Sequence, residues 1–222
     1  MKRALLLVDI QNDFLEGGPL AVPSANEVIP VAVRLIKEHN GFFDQVIATK
    51  DWHLANHRSF ASQHPGKDVF EEILLDGTLP QILWPDHCVQ NSRGSDLADE
   101  LRELMPHIHK IIYKGTDLNI DSYSAFRDNS GDHETELRSY LESKEITEVY
   151  VMGLATDYCV GLTAEDSRRL GFRTYLIEDG SRGIHSLGVS RVCLELQRPN
   201  DRGQTVSLVQ SLSLLVGRES LN

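Results

Sequence analysis

The sequence predicts an α/β fold: a mainly parallel sheet with helices packed against it. Short apolar runs, too short for helices and rich in Val and Ile where they are densest, alternate along the chain with segments of helical apolar spacing. The 222 residues, 41% apolar and 25% charged, suit one ordinary globular core, and no repeat, low-complexity tract or Pro- or Gly/Ser-rich linker divides them. A single domain over 1–222 is expected.

The apolar runs at 4–8, 45–48, 110–113, 148–152 and 173–177 read as buried strands, and a sixth is placed at 205–209. The segments 26–38, 96–104, 132–142, 156–170 and 187–196 carry helical spacing. The stretch 51–91 follows neither period. It holds Trp52, His53, His57, His64, Trp84 and His87, and loops of this length inside a compact domain are usually functional.

Charge narrows the partners. With 22 Lys+Arg against 33 Asp+Glu, the net charge of -11 offers no footprint for a phosphate backbone or an anionic membrane surface. No apolar run approaches the roughly 20 residues that span a bilayer. Neither nucleic acid nor membrane is expected as a partner, and a homo-oligomer is left open. The start of the chain, Met1, Lys2 and Arg3 followed by a short apolar run that ends at Asp9, does not read as a secretory signal, so a cytoplasmic protein is expected. Cys88, Cys159 and Cys193 are odd in number and far apart, which speaks against a disulfide scaffold or a Cys-rich zinc site.

Ligands of open parallel sheets bind beyond the carboxyl ends of the strands. The first reactive side chains after the runs are Asp9, Asp51, Lys114 and, one turn into the next helix, Cys159. Any one of these has a bland reading as a turn former, solvated charge or core thiol; their joint occurrence points to a site. Thr156 is placed to cap the following helix, which puts Cys159 in its first turn, where free N–H groups and a nearby Lys114 favour the thiolate. Cys88 and Cys193 read as inert. Asp51 and His53, two residues apart, with His87 from the same long loop, make a two-His, one-carboxylate set for an open divalent metal site. His57 and His64 are further candidates that their spacing does not favour.

Residues 4–14 (ALLLVDIQNDF) with Gly17 and Gly18, 50–53 (KDWH), 84–88 (WPDHC), Lys114-Gly115, 122–126 (SYSAF) and 153–160 (GLATDYCV) together resemble the isochorismatase-like hydrolases, specifically the bacterial pyrazinamidase/nicotinamidase type. The resemblance runs in order from residue 4 to about 183. It implies a Rossmann-like three-layer α/β/α fold with six mostly parallel strands, an Asp9–Lys114–Cys159 triad, a cis peptide between Leu154 and Ala155, and oxyanion donors on the backbone of Ala155 and Cys159. It also implies one divalent metal ion on Asp51, His53 and His87, with zinc first and iron or manganese as alternatives. The implied reaction is hydrolysis of nicotinamide, and of analogues such as pyrazinamide, to the acid and ammonia in pyridine nucleotide salvage. Phe14, Leu20, Trp84 and Tyr123 are the expected walls around a flat ring. The competing readings are an amidohydrolase of the same fold acting on a carbamoyl or ureido compound, which the metal set disfavours, and a non-catalytic binding protein, which the complete triad disfavours.

Overall fold

The computed structural model describes residues 1–216; residues 217–222, the end of the expected domain, lie outside the described residues. In chain order the elements are β1 (Lys2–Val8), α1 (Val28–Glu38), β2 (Gln45–Asp51), β3 (Glu72–Leu75), β4 (Leu79–Ile82), α2 (Asp99–Arg102), β5 (Lys110–Lys114), α3 (Leu137–Ser143), β6 (Ile146–Leu154), α4 (Gly161–Arg169), β7 (Arg173–Arg182), α5 (Ser186–Gln197), β8 (Val206–Val209) and α6 (Ser211–Val216).

Six strands form one sheet in the order β5-β2-β1-β6-β7-β8, with every pairing parallel. The run 4–8 is apolar throughout because β1 is central and buried on both faces. Leu5 and Leu7 pack with Val28, Ala32 and Leu35 of α1. Ala4, Leu6 and Val8 join Leu137 and Leu141 of α3 and Ala164 of α4 on the other side. These two apolar clusters make the layers of an α/β/α sandwich.

Four segments differ from the sequence expectation, each for a local reason. The helix expected over 96–104 is only Asp99–Arg102: the chain is extended at Ala98 before it, leaves helical angles at Leu104, and restarts as a separate 3-10 turn, Met105–His107. The helix expected over 132–142 begins at Leu137, since the Thr135 N–H is held by the Phe126 carbonyl and Glu134 bridges to Arg127. Within 51–91, β3 and β4 pair as an antiparallel hairpin that stands apart from the main sheet. Finally, Thr156 does not cap a helix. Ala155 is the extended residue before it, and Thr156–Val160 forms a wider, π-type turn in which the Val160 N–H bonds to the Ala155 carbonyl, leading into α4.

Candidate active site

The sheet order brings the four strand ends side by side. Lys114 closes β5, Asp51 closes β2 and is its register partner, Asp9 follows β1, and the turn after β6 carries Cys159. Asp9 sits at a left-handed φ of 51°, which turns the chain sharply out of the sheet. Thr49, buried on β2, fixes it twice: the Asp9 N–H donates to Thr49 Oγ1 at 3.0 Å, and the Thr49 hydroxyl donates to Asp9 Oδ1 at 2.5 Å. Gln11 does the same for Asp51, accepting its N–H at 2.8 Å while its amide donates to the Asp51 and Ser95 carbonyls.

Lys114 is buried, and its ammonium lies 2.8 Å from Asp9 Oδ2, 2.5 Å from Asp51 Oδ1, 2.8 Å from the Ser122 carbonyl and 3.3 Å from Cys159 Sγ. One cation therefore touches the candidate base, the candidate nucleophile and a candidate metal ligand. Burial pushes the Asp9 carboxyl up to about 6; Lys114 opposes this and Asp51 adds to it. Burial also opposes the charge on Asp51, but the Lys114 ammonium holds that carboxyl well below the usual range. For Lys114, burial opposes the charge and the Asp51 and Asp9 carboxylates overcome it, so the ammonium persists far above its usual range.

The thiol corrects an expectation. Burial pushes Cys159 well above the usual thiol range; Lys114 opposes, and Asp9 and Asp51 reinforce the rise. The candidate nucleophile rests as a thiol beside the candidate base, rather than as a thiolate held by a helix end. Burial and the two carboxylates outweigh the cation and the free N–H groups of the turn.

The residues proposed for a metal converge as well, and their hydrogen bonds fit the role. His53 Nδ1 donates to the Gly115 carbonyl at 2.9 Å, and His87 Nδ1 donates to the Pro85 carbonyl at 2.8 Å. A carbonyl can only accept, so in the neutral form of both rings Nε2 is the bare nitrogen. These atoms lie 3.7 Å and 3.8 Å from Asp51 Oδ2, and His53 Nε2 is buried with no hydrogen-bond partner. Two aimed lone pairs and a carboxylate oxygen suit a divalent cation. Gly115 makes the approach possible: at φ +61°, a Cβ there would lie 2.4 Å from His53 Cε1.

His57 stays outside this group. Its Nδ1 accepts the Ser59 N–H at 3.1 Å, and its ring packs 4.4 Å from that of His53. His64 turns to the Arg58 carbonyl at 2.8 Å.

A mainly apolar pocket opens onto Cys159, Asp51 and His87, and Phe14, Leu20, Trp84 and Tyr123 all line it. Val22, Tyr158, Ile184 and Asp121 line it too and were not anticipated from sequence. Trp84 comes from just after the hairpin, and its indole N–H donates to Tyr123 Oη at 3.1 Å, which locks two walls from distant segments together. Ala155 forms the wall beside Cys159, and the Leu154–Ala155 peptide is cis, as the resemblance implies.

A buried thiol beside a carboxylate and an ammonium, on the wall of a pocket lined with aromatic side chains, belongs to the chemistry of hydrolases that attack a carbonyl carbon through cysteine. Residues 3–209 match the Isochorismatase domain, and the chain belongs to the isochorismatase family. It is 50% identical to the nicotinamidase of Escherichia coli, over 82% of this chain and 84% of that protein. Among solved structures, the nicotinamidase/pyrazinamidase of Acinetobacter baumanii superposes with a TM-score of 0.87 at 41% identity, covering 96% of this chain and 98% of that one. A pyrazinamidase of Pyrococcus horikoshii in complex with zinc superposes at 0.72 with 32% identity, covering 95% and 99%. No helix among the described residues is long and apolar enough to cross a membrane.

Proposed function

We infer that this chain hydrolyses nicotinamide to nicotinate and ammonia, and pyrazinamide likewise, through Cys159, Asp9 and Lys114. The observation that carries the reading is the Lys114 ammonium, 2.8 Å from Asp9 Oδ2 and 3.3 Å from Cys159 Sγ at the end of a pocket with aromatic walls. The nicotinamidase relatives supply the substrate. We place the activity in the cytoplasm, in pyridine nucleotide salvage.

Asp9 takes the thiol proton as Cys159 Sγ bonds to the amide carbon, and the oxyanion that forms is held by the Ala155 and Cys159 N–H groups, each typically contributing about 3 kcal/mol. Asp9 then gives its proton to the amide nitrogen, the C–N bond breaks and ammonia leaves a thioester. Water attacks the thioester with Asp9 taking one of its protons; the C–S bond breaks, Asp9 returns that proton to sulfur, and nicotinic acid departs and loses its own proton to solvent as nicotinate. A group that titrates near 6 suits both directions of transfer at neutral pH. Lys114 stays charged throughout and orients the Asp9 carboxylate.

Asp51, His53 and His87 would hold one divalent cation, with zinc favoured by the zinc-bound relative. Bound there, it supplies a Lewis-acid anchor for the ring nitrogen, directly or through water. Phe14, Leu20, Trp84 and Tyr123 hold the ring flat, so that binding becomes orientation.

The direct test is ammonia release from nicotinamide before and after chelation. The purified protein should release ammonia, chelation should cut turnover severely, and added zinc should restore it. An unchanged rate after verified metal loss would refute the anchoring role, and absence of ammonia from metal-loaded protein would refute the activity.

The pH profile supplies a second check. Asp9 must be ionised to accept the thiol proton, so kcat/KM should fall as pH drops through about 6. The effect on folding has the opposite sense. The native carboxyl holds its proton up to about 6, against 3.8 for the ordinary group, so this group's contribution to stability is greatest below that window and declines as pH rises through it. An acid limb near 4, the ordinary carboxyl range, would show that burial does not raise Asp9 in the working enzyme.

A further inference from the structure

Asp121 lies in the connection between β5 and α3 and, beyond lining the pocket, has no part in the triad or the ligand set assigned above. It is 2% exposed, and among the described residues no lysine or arginine pairs with it. A buried carboxylate without a cation is costly, so its surroundings have to account for it. Its Oδ1 accepts the Ser122 N–H at 2.7 Å and stands 3.9 Å from His53 Nε2, the same bare nitrogen that lies 3.7 Å from Asp51 Oδ2. A lone pair beside two carboxylate oxygens is repulsive; a proton on His53 relieves it in the metal-free protein, and a divalent cation replaces that proton when bound. The count of charged groups agrees: Asp9, Asp51 and Asp121 are all buried at this end of the sheet, and Lys114 is the buried ammonium among them.

We propose that Asp121 is a positioning residue of the metal centre, a carboxylate outside the Asp51–His53–His87 ligand set whose charge beside His53 Nε2 retains the divalent cation. The proposal rests on the reading of those three residues as metal ligands. It also explains why Asp121 lines the pocket beside Asp51 and His87. The Ser122 bond alone would need only a neutral acceptor.

Asp121→Asn separates the two roles, since it keeps an acceptor for the Ser122 N–H and removes the charge. The measurement is zinc affinity of metal-free protein by competition with a chromophoric chelator, alongside the unfolding midpoint of the same metal-free samples. Asp121→Asn should bind zinc about 10–100-fold more weakly than the parent, the range typical for groups supporting metal ligands, with a metal-free midpoint that does not fall. Zinc affinity within twofold of the parent would overturn the proposal. So would a weakening matched by a lower metal-free midpoint, which marks a structural role. If Asp121→Asn fails to fold, Asp121→Ser, which also keeps a neutral acceptor, is held to the same criteria. His53→Ala is the control: if it leaves zinc affinity unchanged, the metal-centre reading itself fails, whatever Asp121 does.

Discussion

Cys159→Ala is expected to lower ammonia release from nicotinamide by on the order of 10⁴-fold or more, while leaving the fold and metal content intact. The size follows from the chemistry. Without Sγ there is no thioester route, and Asp9 retains its Thr49 and Lys114 contacts but has no thiol to deprotonate. The fold should tolerate the change, because Cys159 stands where the buried cluster around Val160 and Ala164 meets the pocket, and only one sulfur atom is lost there. Metal content by elemental analysis and circular dichroism provide the controls. Retention of a tenth of the activity would eliminate Cys159 as nucleophile.

Lys114→Met is expected to act on both stability and chemistry. It leaves Asp9 and Asp51 buried without their shared ammonium, and breaking a buried ion pair from one side typically costs about 3–5 kcal/mol, readable by urea unfolding. The electrostatic consequences have a definite sign. Lys114 opposes the rise of both Asp9 and Cys159, so its loss should move the acid limb of kcat/KM above 6 and shift iodoacetamide alkylation of Cys159 to higher pH. An alkylation profile identical to the parent's would discard the electrostatic role of Lys114.

The chemistry was legible wherever it sat at the end of a strand. Asp9 was visible as the first polar residue after an unbroken apolar run, and that run was unbroken because β1 is buried on both faces. Asp51, Lys114 and Cys159 followed from the same rule. Their mutual contacts did not, because strand order is a property of crossovers: nothing local says that β5 lies beside β2, so that Asp51 and Lys114 become register partners. The hairpin was missed because the short β3 and β4 segments lack clear alternation, and β4 contains Pro80. The wide turn at Thr156–Val160 left no signal that an N-cap search could read. Thr49, Gln11 and Asp121 are ordinary polar residues in sequence; only their burial beside the strand ends gives them meaning. The metal set and the triad gained specificity from the combined motifs rather than from any single spacing.

Lys114 directs its three protons to Asp51, the Ser122 carbonyl and Cys159, and Asp9 Oδ2, 2.8 Å away, is held by charge rather than by a hydrogen bond. The ammonium is fully engaged, so whatever draws charge away from Asp51 frees a share of it for Asp9 and the sulfur. Thermodynamic linkage makes that exchange reciprocal: a change at the thiol must return to Asp51 with the same coupling free energy. Cys159 and the Asp51–His53–His87 group are therefore coupled through one ammonium: a substitution at the thiol leaves the metal ligands in place yet shifts how tightly they hold a cation.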